Sequence, residues 1–241
     1  MQPTTDASER STAGVDAAIA NVQDYLMSIQ DPKGFWNCEL PVDATVACDY
    51  LLYYRWTGDV DADRERRIVT FIKKWQREDG GWPQFTDGPS ELNASVKGYY
   101  ALKMAGDSLN APHMVAARDK ILELGGIPAC HTWNKLYLAM FGCFPWKDCP
   151  LIPAELMLMP NWFPINIYKM SSWTRNMIVP LMVINHFKPV RIIDSCPDLN
   201  ELYPEGTLEG DLSLPYSKKV VSWKNFFLVG DKLGRVVNHL P

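Results

Sequence analysis

The apolar residues of the first 140 positions recur at steps of three and four, the spacing of one face of an α-helix. The first stripe consists of Val15, Ile19, Val22, Leu26 and Ile29. Five further stripes follow, and each ends at or near a glycine, which readily adopts the left-handed conformation after a helix. These glycines are Gly58, Gly80, Gly106, Gly125 and Gly142. Because no useful length of sequence alternates apolar and polar residues as a strand does, the pattern predicts an all-α chain of paired helices.

The pattern changes between Pro145 and Pro164, where five prolines exclude a long helix. A helix is predicted to resume at about residues 170–187. The predicted boundaries are residues 1–14 for a flexible N-terminus, 15–187 for the helical-hairpin region, 188–217 for a linker or loop, and 218–241 for the start of a further helix.

Composition excludes several classes of protein. The 241 residues are 47% hydrophobic and 22% charged, which does not fit a disordered chain. The 24 basic and 28 acidic residues give a net charge of −4 without a basic block, so nucleic acid is not the expected partner. Residues 1–13 lack the apolar core of a signal peptide. No apolar run reaches the roughly 20 residues that span a bilayer.

The cysteines do not indicate a disulfide framework or a metal site. Six are present without a CxxC pair, which favours free thiols in a reducing compartment. Cys143 and Cys149 together with His131 come nearest to a metal cluster, but their spacing matches no common zinc pattern. The sequence therefore predicts no bound metal.

One motif occurs twice at a constant offset. Gln30, Gly34 and Trp36 recur as Gln76, Gly80 and Trp82, each 46 residues later. This period fits one helical hairpin, the unit of α-helical solenoids and toroids. We expect the glutamine amide to bond free backbone carbonyls or reach the next helix, the glycine to permit a turn, and the tryptophan to fold back. A single copy is equally well explained as a helix end before a buried aromatic residue, but two copies favour a repeat.

The two copies resemble the QW motifs of triterpene cyclases of the squalene–hopene cyclase group. Four segments extend the resemblance over nearly the whole chain from about residue 15: Gln76–Pro83 (QREDGGWP), Tyr100–Gly106 (YALKMAG), Asn166–Trp173 (NIYKMSSW) and Ser222–Phe227 (SWKNFF). The resemblance implies an α/α toroid that is incomplete relative to the two barrels of a full cyclase. On this interpretation residues 218–241 begin a helix that is cut short.

The resemblance also implies an activity. Squalene–hopene cyclases protonate a terminal alkene of squalene and form polycyclic triterpenes (hopanoids) through a running cation, with no cofactor. Their acid lies in a DxDD motif. Here the nearest run is Asp59-x-Asp61-x-Asp63, whose place after Gly58 favours helix capping over catalysis. We therefore expect an N-terminal domain with no catalytic residue of its own, inactive without a missing C-terminal half that carries DxDD.

Some cavity residues follow from the same resemblance. Trp173 matches a tryptophan that faces the substrate cavity, and Met170 and Ile178 fall where the family constricts its substrate channel. Met170, Trp173, Met177 and Leu181 have the spacing of one helical face, which an ordinary core stripe would share.

Two further observations concern individual positions. The acidic residues that some family members carry around Val46–Cys48 and Lys97 are not glutamate here, which puts a supporting acid in this domain in doubt. Trp56, Trp75 and Trp133 are most simply assigned to the core.

The family is monotopic, so the resemblance implies peripheral attachment to the cytoplasmic face of a membrane. Trp223, Phe226 and Phe227 are the predicted membrane contacts, flanked by lysines suited to anionic headgroups. An amphipathic helix that packs on the missing half would show the same pattern.

Several alternatives remain open from the sequence. The chain fits a non-catalytic isoprenoid-binding or membrane-docking module, or one subunit of a split cyclase, and a homodimer is among the partners considered. A different α/α toroid, such as a prenyltransferase β-subunit, would require a zinc site.

Overall fold

The structure is a computed structural model that describes residues 5–37, 43–163, 166–194, 198–204, 212, 214, 216–219 and 221–237. Within these ranges, the side chains of residues 5–13, 223, 227 and 233–237 are not described. The chain divides into two units, Met1–Pro41 and Val42–Pro241.

The first unit consists of one long helix and the first copy of the repeat. Helix α1 spans Thr5–Ser28 and carries the predicted apolar stripe. It includes residues 5–14, where the sequence pattern favours a flexible N-terminus. Ala7, Glu9 and Arg10 in this segment are good helix formers, so the helix continues toward the N-terminus beyond the apolar stripe.

The second unit contains the other helices. They are α2 (Thr45–Thr57), α3 (Ala62–Lys74), α4 (Leu92–Met104), α5 (Pro112–Glu123), α6 (Thr132–Met140), α7 (Ser172–Phe187) and α8 (Trp223–Val237). The ladder β1 (Trp82–Pro83) and β2 (Ser90–Glu91) is antiparallel, with Trp82 opposite Glu91. Because the described residues form no longer strand, the predicted all-α class is confirmed.

The helix ends follow the local sequence. Gly58 follows α2 at φ 82°, where its N–H donates to Tyr54 O at 2.9 Å. The Asp61 side chain caps α3 by accepting hydrogen bonds from the N–H groups of Asp63 (3.0 Å) and Arg64 (3.1 Å). The capping interpretation of this acidic run is therefore confirmed for Asp61.

Helix α4 lies at the centre of the core. Nine of its 13 residues are buried, and it packs against α2, α3 and α5. Gly98 on α4 makes room for the ring of Trp82, since a Cβ at Gly98 would lie 2.7 Å from that ring. The second copy of the repeat is thus part of the core.

The proline-rich segment forms short 3₁₀ turns at Trp146–Asp148 and Ala154–Leu158 rather than a long helix, as its prolines predict. A further 3₁₀ turn at Asn200–Leu202 packs on α5. In the part of the chain that is described, no helix has the length and apolar character to cross a membrane.

Candidate functional site

The second copy of the repeat joins the end of α3 to α5 through side-chain donors. Gln76 Nε2 donates to Gly80 O at 2.8 Å and to His113 O, in the first turn of α5, also at 2.8 Å. Trp82 Nε1 donates to Ile72 O of α3 at 2.8 Å. The prediction that the glutamine bonds backbone carbonyls is confirmed here, and the helix it reaches is α5 rather than α4, the next helix along the chain.

The first copy shows two of these three bonds within its own unit. Gln30 Nε2 donates to Gly34 O at 2.9 Å, and Trp36 Nε1 donates to Leu26 O at 2.6 Å. Leu26 stands 46 positions before Ile72, so the tryptophan bond also has its counterpart at the same offset. The shared bonds indicate that these residues build the turn after a helix, which is a structural role.

An apolar groove of about 230 Å³ lies between α2, α6 and α7. Helix α2 contributes Asp49, Leu52, Tyr53 and Trp56. Helix α6 and the residue after it contribute Trp133, Leu136, Tyr137, Met140 and Phe141, and α7 contributes Leu181 and Ile184. Five of these side chains are aromatic. Such a groove suits an apolar ligand, for which it offers aromatic and aliphatic side chains and few polar partners.

Asp49, the one charged side chain among the described residues that line the groove, is held in an ion pair. Lys97 Nζ of α4 lies 2.9 Å from Asp49 Oδ1 and 3.0 Å from Oδ2, of which only Oδ2 accepts a well-aligned hydrogen bond. The same ammonium lies 4.7 Å from the centroid of the Tyr137 ring, within cation–π range. The charge at this wall is therefore balanced inside the protein.

Burial changes the acidity of both groove residues in contact with Lys97. Burial raises the pKa of the Asp49 carboxyl above its ordinary value, while the Lys97 ammonium opposes the shift. Burial, with a smaller contribution from Asp49, raises the pKa of Tyr137 to about 12. The phenol is thus protonated at neutral pH.

Comparison with known proteins identifies the family. Residues 19–241 match the family model described as the squalene-hopene cyclase N-terminal domain. The chain belongs to this family. It is 38% identical over 220 residues to the squalene–hopene cyclase of Zymomonas mobilis, covering 91% of this chain and 33% of that protein. It is 35% identical to the squalene–hopene cyclase of Bradyrhizobium diazoefficiens over 94% of this chain and 34% of that protein.

This chain also covers a similar share of a more distant cyclase. The squalene–hopene cyclase of Alicyclobacillus acidocaldarius is 33% identical over 75% of this chain and 28% of its own length. This chain therefore spans about a third of the length of the curated cyclases it matches.

The cavity residues implied by the family resemblance lie just before α7 and in its first half. Trp173 is 75% exposed, whereas Met170 and Ile178 are half-buried. None of the three lines the groove, which α7 meets through Leu181 and Ile184. The cavity assignments of Met170, Trp173 and Ile178 stay predictions.

The predicted membrane contact falls on α8. Phe226 is 59% exposed, and Lys218, Lys219 and Lys224 nearby are also exposed. The side chains of Trp223 and Phe227 lie outside the described residues. The exposed position of Phe226 is compatible with either interpretation given above for this helix.

The described cysteines are buried thiols. Cys48, Cys130, Cys143 and Cys149 are all buried, and burial raises the pKa of Cys143 to about 11 and that of Cys130 to about 12. Thiols with such pKa values are poor nucleophiles at neutral pH. Among the described residues, no group of three or more His, Cys, Asp or Glu side chains is arranged to hold a metal ion.

Sequence reasoning missed the groove and its ion pair. Asp49 and Lys97 are 48 positions apart, so their contact depends on how α2 and α4 pack. Trp133, assigned to the core from the sequence, is partly exposed because it lines the open groove. One signal was available: Lys97 stands alone in a stretch of α4 that is otherwise apolar or small, and such a lysine needs a partner.

Proposed function

We propose that the apolar groove forms part of the wall of a squalene cavity, and that the chain is the N-terminal domain of a squalene–hopene-type cyclase. The observation that carries this proposal is a groove lined by five aromatic rings, with its single carboxylate neutralised by Lys97, in a chain of this family. Aromatic faces stabilise passing carbocations through their quadrupole. Apolar walls exclude the water that would capture a cation early.

The proton donor is proposed to lie outside this chain. The sequence carries no DxDD motif, and the acidic run nearest to it serves as a helix cap at Asp61. In this proposal a C-terminal part of the cyclase brings the acid to the cavity. The chain alone then binds squalene without converting it to polycyclic triterpenes.

Squalene binding and conversion test the proposal separately. Binding is followed by quenching of tryptophan fluorescence in detergent, because Trp56 and Trp133 line the groove. Leu181→Glu places a charge in the groove and is expected to weaken binding at least about tenfold, a cost of about 1.4 kcal/mol. Val183→Glu, on an exposed position of the same helix, is the matched control and keeps wild-type affinity.

Product analysis by gas chromatography and mass spectrometry completes the test. The proposal expects squalene to be recovered unchanged. A cyclised product from the chain alone would contradict the placement of the acid, and equal affinity of the two glutamate variants would contradict the groove. Tight squalene binding with no downstream acidic partner would instead favour a non-catalytic isoprenoid-binding module.

We also propose that the cyclase is peripheral on the cytoplasmic face of a membrane. The proposal is supported by the exposed side chains of Phe226 and of the lysines Lys218, Lys219 and Lys224, which suit contact of α8 with an anionic membrane surface. Phe226→Ser is expected to reduce co-sedimentation with phosphatidylglycerol vesicles, while Val46→Ser, at an exposed position of α2, leaves it unchanged. Equal sedimentation of both variants would contradict the proposal.

A further inference from the structure

Lys97 contacts two residues that line the groove on different helices. Its ammonium contacts Asp49 of α2 at 2.9 Å and the Tyr137 ring of α6 at 4.7 Å. Both partners line the groove, whereas Lys97 does not. One side chain of α4 therefore contacts a lining residue of α2 and one of α6.

The position of Lys97 makes these contacts strong. Its side chain is only 17% exposed, so the ion pair and the cation–π contact are less screened by water than surface contacts. Leu52, Val96 and Tyr100 surround the small gap beside it. With both charges partly desolvated, loss of one partner leaves the other uncompensated.

The consequence concerns the shape of the groove. The Tyr137 ring has to keep its face toward the ammonium for the cation–π contact to persist, and Asp49 has to keep its carboxylate toward α4. Both lining side chains are thereby held in fixed orientations. Without Lys97, the Asp49 carboxylate would stand unpaired against an apolar ligand.

We propose that Lys97 is a positioning residue that fixes the spacing of α2 and α6 and neutralises Asp49, and so sets the affinity of the groove for an isoprenoid hydrocarbon. This inference rests on the proposed function, because it presumes that the groove binds such a chain. It adds a residue that acts through Asp49 and Tyr137 rather than by touching the ligand.

The test compares two lysines of the same helix, with squalene as the probe. Lys97→Met keeps most of the stem but removes the charge. Lys103→Met is the matched control, because Lys103 is 10% exposed and pairs with Glu201 at 2.7 Å, away from the groove. Lys97→Met is expected to raise the Kd for squalene about tenfold, and Lys103→Met to change it less than about twofold.

Two further variants separate positioning from folding. Lys97→Arg retains the charge and the ability to stack on Tyr137, so it is expected to restore affinity to within about threefold of wild type. Asp49→Asn removes the carboxylate charge that pairs with Lys97 and keeps the side-chain volume nearly constant. It serves as the second measurement if Lys97→Met does not fold. It is expected to raise the Kd about threefold or more.

The outcomes distinguish the two proposals. Wild-type binding together with equal affinities of Lys97→Met and Lys103→Met would overturn the role of Lys97 alone. Failure of Lys97→Arg to restore binding would also overturn it. A wild-type chain that does not bind squalene would overturn the proposed function and this inference with it.

Discussion

The second copy of the repeat shows how a single glycine meets two requirements, a left-handed backbone and close packing. Gly80 has φ +89°, and a Cβ at this position would lie 2.4 Å from Ala116 O on α5. The first requirement is conformational and the second is close packing. Gly106 meets only the conformational requirement, with φ +98° and, among the described residues, no packing contact within 4 Å of the position that a Cβ would take.

Gly80 and Gly106 together give a matched stability prediction. Gly106→Ala is expected to cost about 1–2 kcal/mol, the usual penalty of the left-handed conformation. Gly80→Ala is expected to cost more, because the α5 backbone has to move as well. Urea unfolding followed by circular dichroism measures both, and equal losses would show that the approach of Ala116 does not constrain the turn.

A second residue-scale prediction concerns Asp107. Burial acts to raise the pKa of this carboxyl, but hydrogen bonds from Lys73 (3.0 Å) and His113 (2.7 Å) outweigh it and hold the pKa below its ordinary value. A carboxyl whose pKa is lower in the folded state stabilises the protein at pH values above its unfolded pKa of about 4. This stabilisation is lost as the pH falls through the folded pKa.

Asp107→Asn should therefore flatten the decline in stability below about pH 4. Urea midpoints at pH 3 and pH 7 report the effect. Asp119→Asn, on the exposed side of α5, is the control and should retain the wild-type decline. A decline in Asp107→Asn as steep as in wild type would contradict the assigned contacts.

At the scale of elements, the segment around the 3₁₀ turn Asn200–Leu202 is held by side chains from α4. Lys103 Nζ donates to Asp198 O at 2.8 Å and to Glu201 Oε1 at 2.7 Å, and Tyr99 OH donates to the same carboxylate oxygen at 2.9 Å. Because Lys103 contacts both Asp198 and Glu201, it is expected to contribute strongly to the local stability of this turn.

Lys103→Met should therefore speed amide hydrogen exchange at Leu202 and Tyr203 by about tenfold. Lys97→Met is the reciprocal control, since its contacts lie at the groove, and should leave these two amides protected. Unchanged exchange in Lys103→Met would show that packing of Leu202 alone holds the turn.

Helix positions were predictable because they depend on local chemistry. Gly58, Gly106, Gly125 and Gly142 all adopt positive φ at the predicted helix ends, and the prolines after Pro145 limit that segment to short turns. The extension of α1 to Thr5 was missed because it has no apolar stripe. The groove and the ion pair were missed because they join residues from α2, α4, α6 and α7, and their proximity is a property of packing.

At the scale of the whole molecule, the large exposed apolar side chains have a consequence for the isolated chain. Leu158, Trp162, Trp173 and Phe187 are all largely exposed along the segment from the 3₁₀ turn Ala154–Leu158 to the end of α7. Exposed apolar side chains in such number favour association in water. We expect the chain to form oligomers or aggregates unless detergent covers them.

Size-exclusion chromatography with light scattering checks this expectation. The double variant Trp173→Gln and Phe187→Gln should shift the distribution toward monomer in the absence of detergent. A wild-type chain that elutes as a monodisperse monomer without detergent would contradict the prediction.

The central claim, that the groove between α2, α6 and α7 receives an isoprenoid hydrocarbon, is tested most directly by photo-crosslinking. A squalene analogue carrying a diazirine is irradiated with the chain in detergent, and labelled peptides are mapped by mass spectrometry. The account predicts labels on the α2 and α6 peptides that contain Tyr53 and Tyr137, suppressed by excess unlabelled squalene. Labelling that avoids both peptides, or that excess squalene does not suppress, would contradict it.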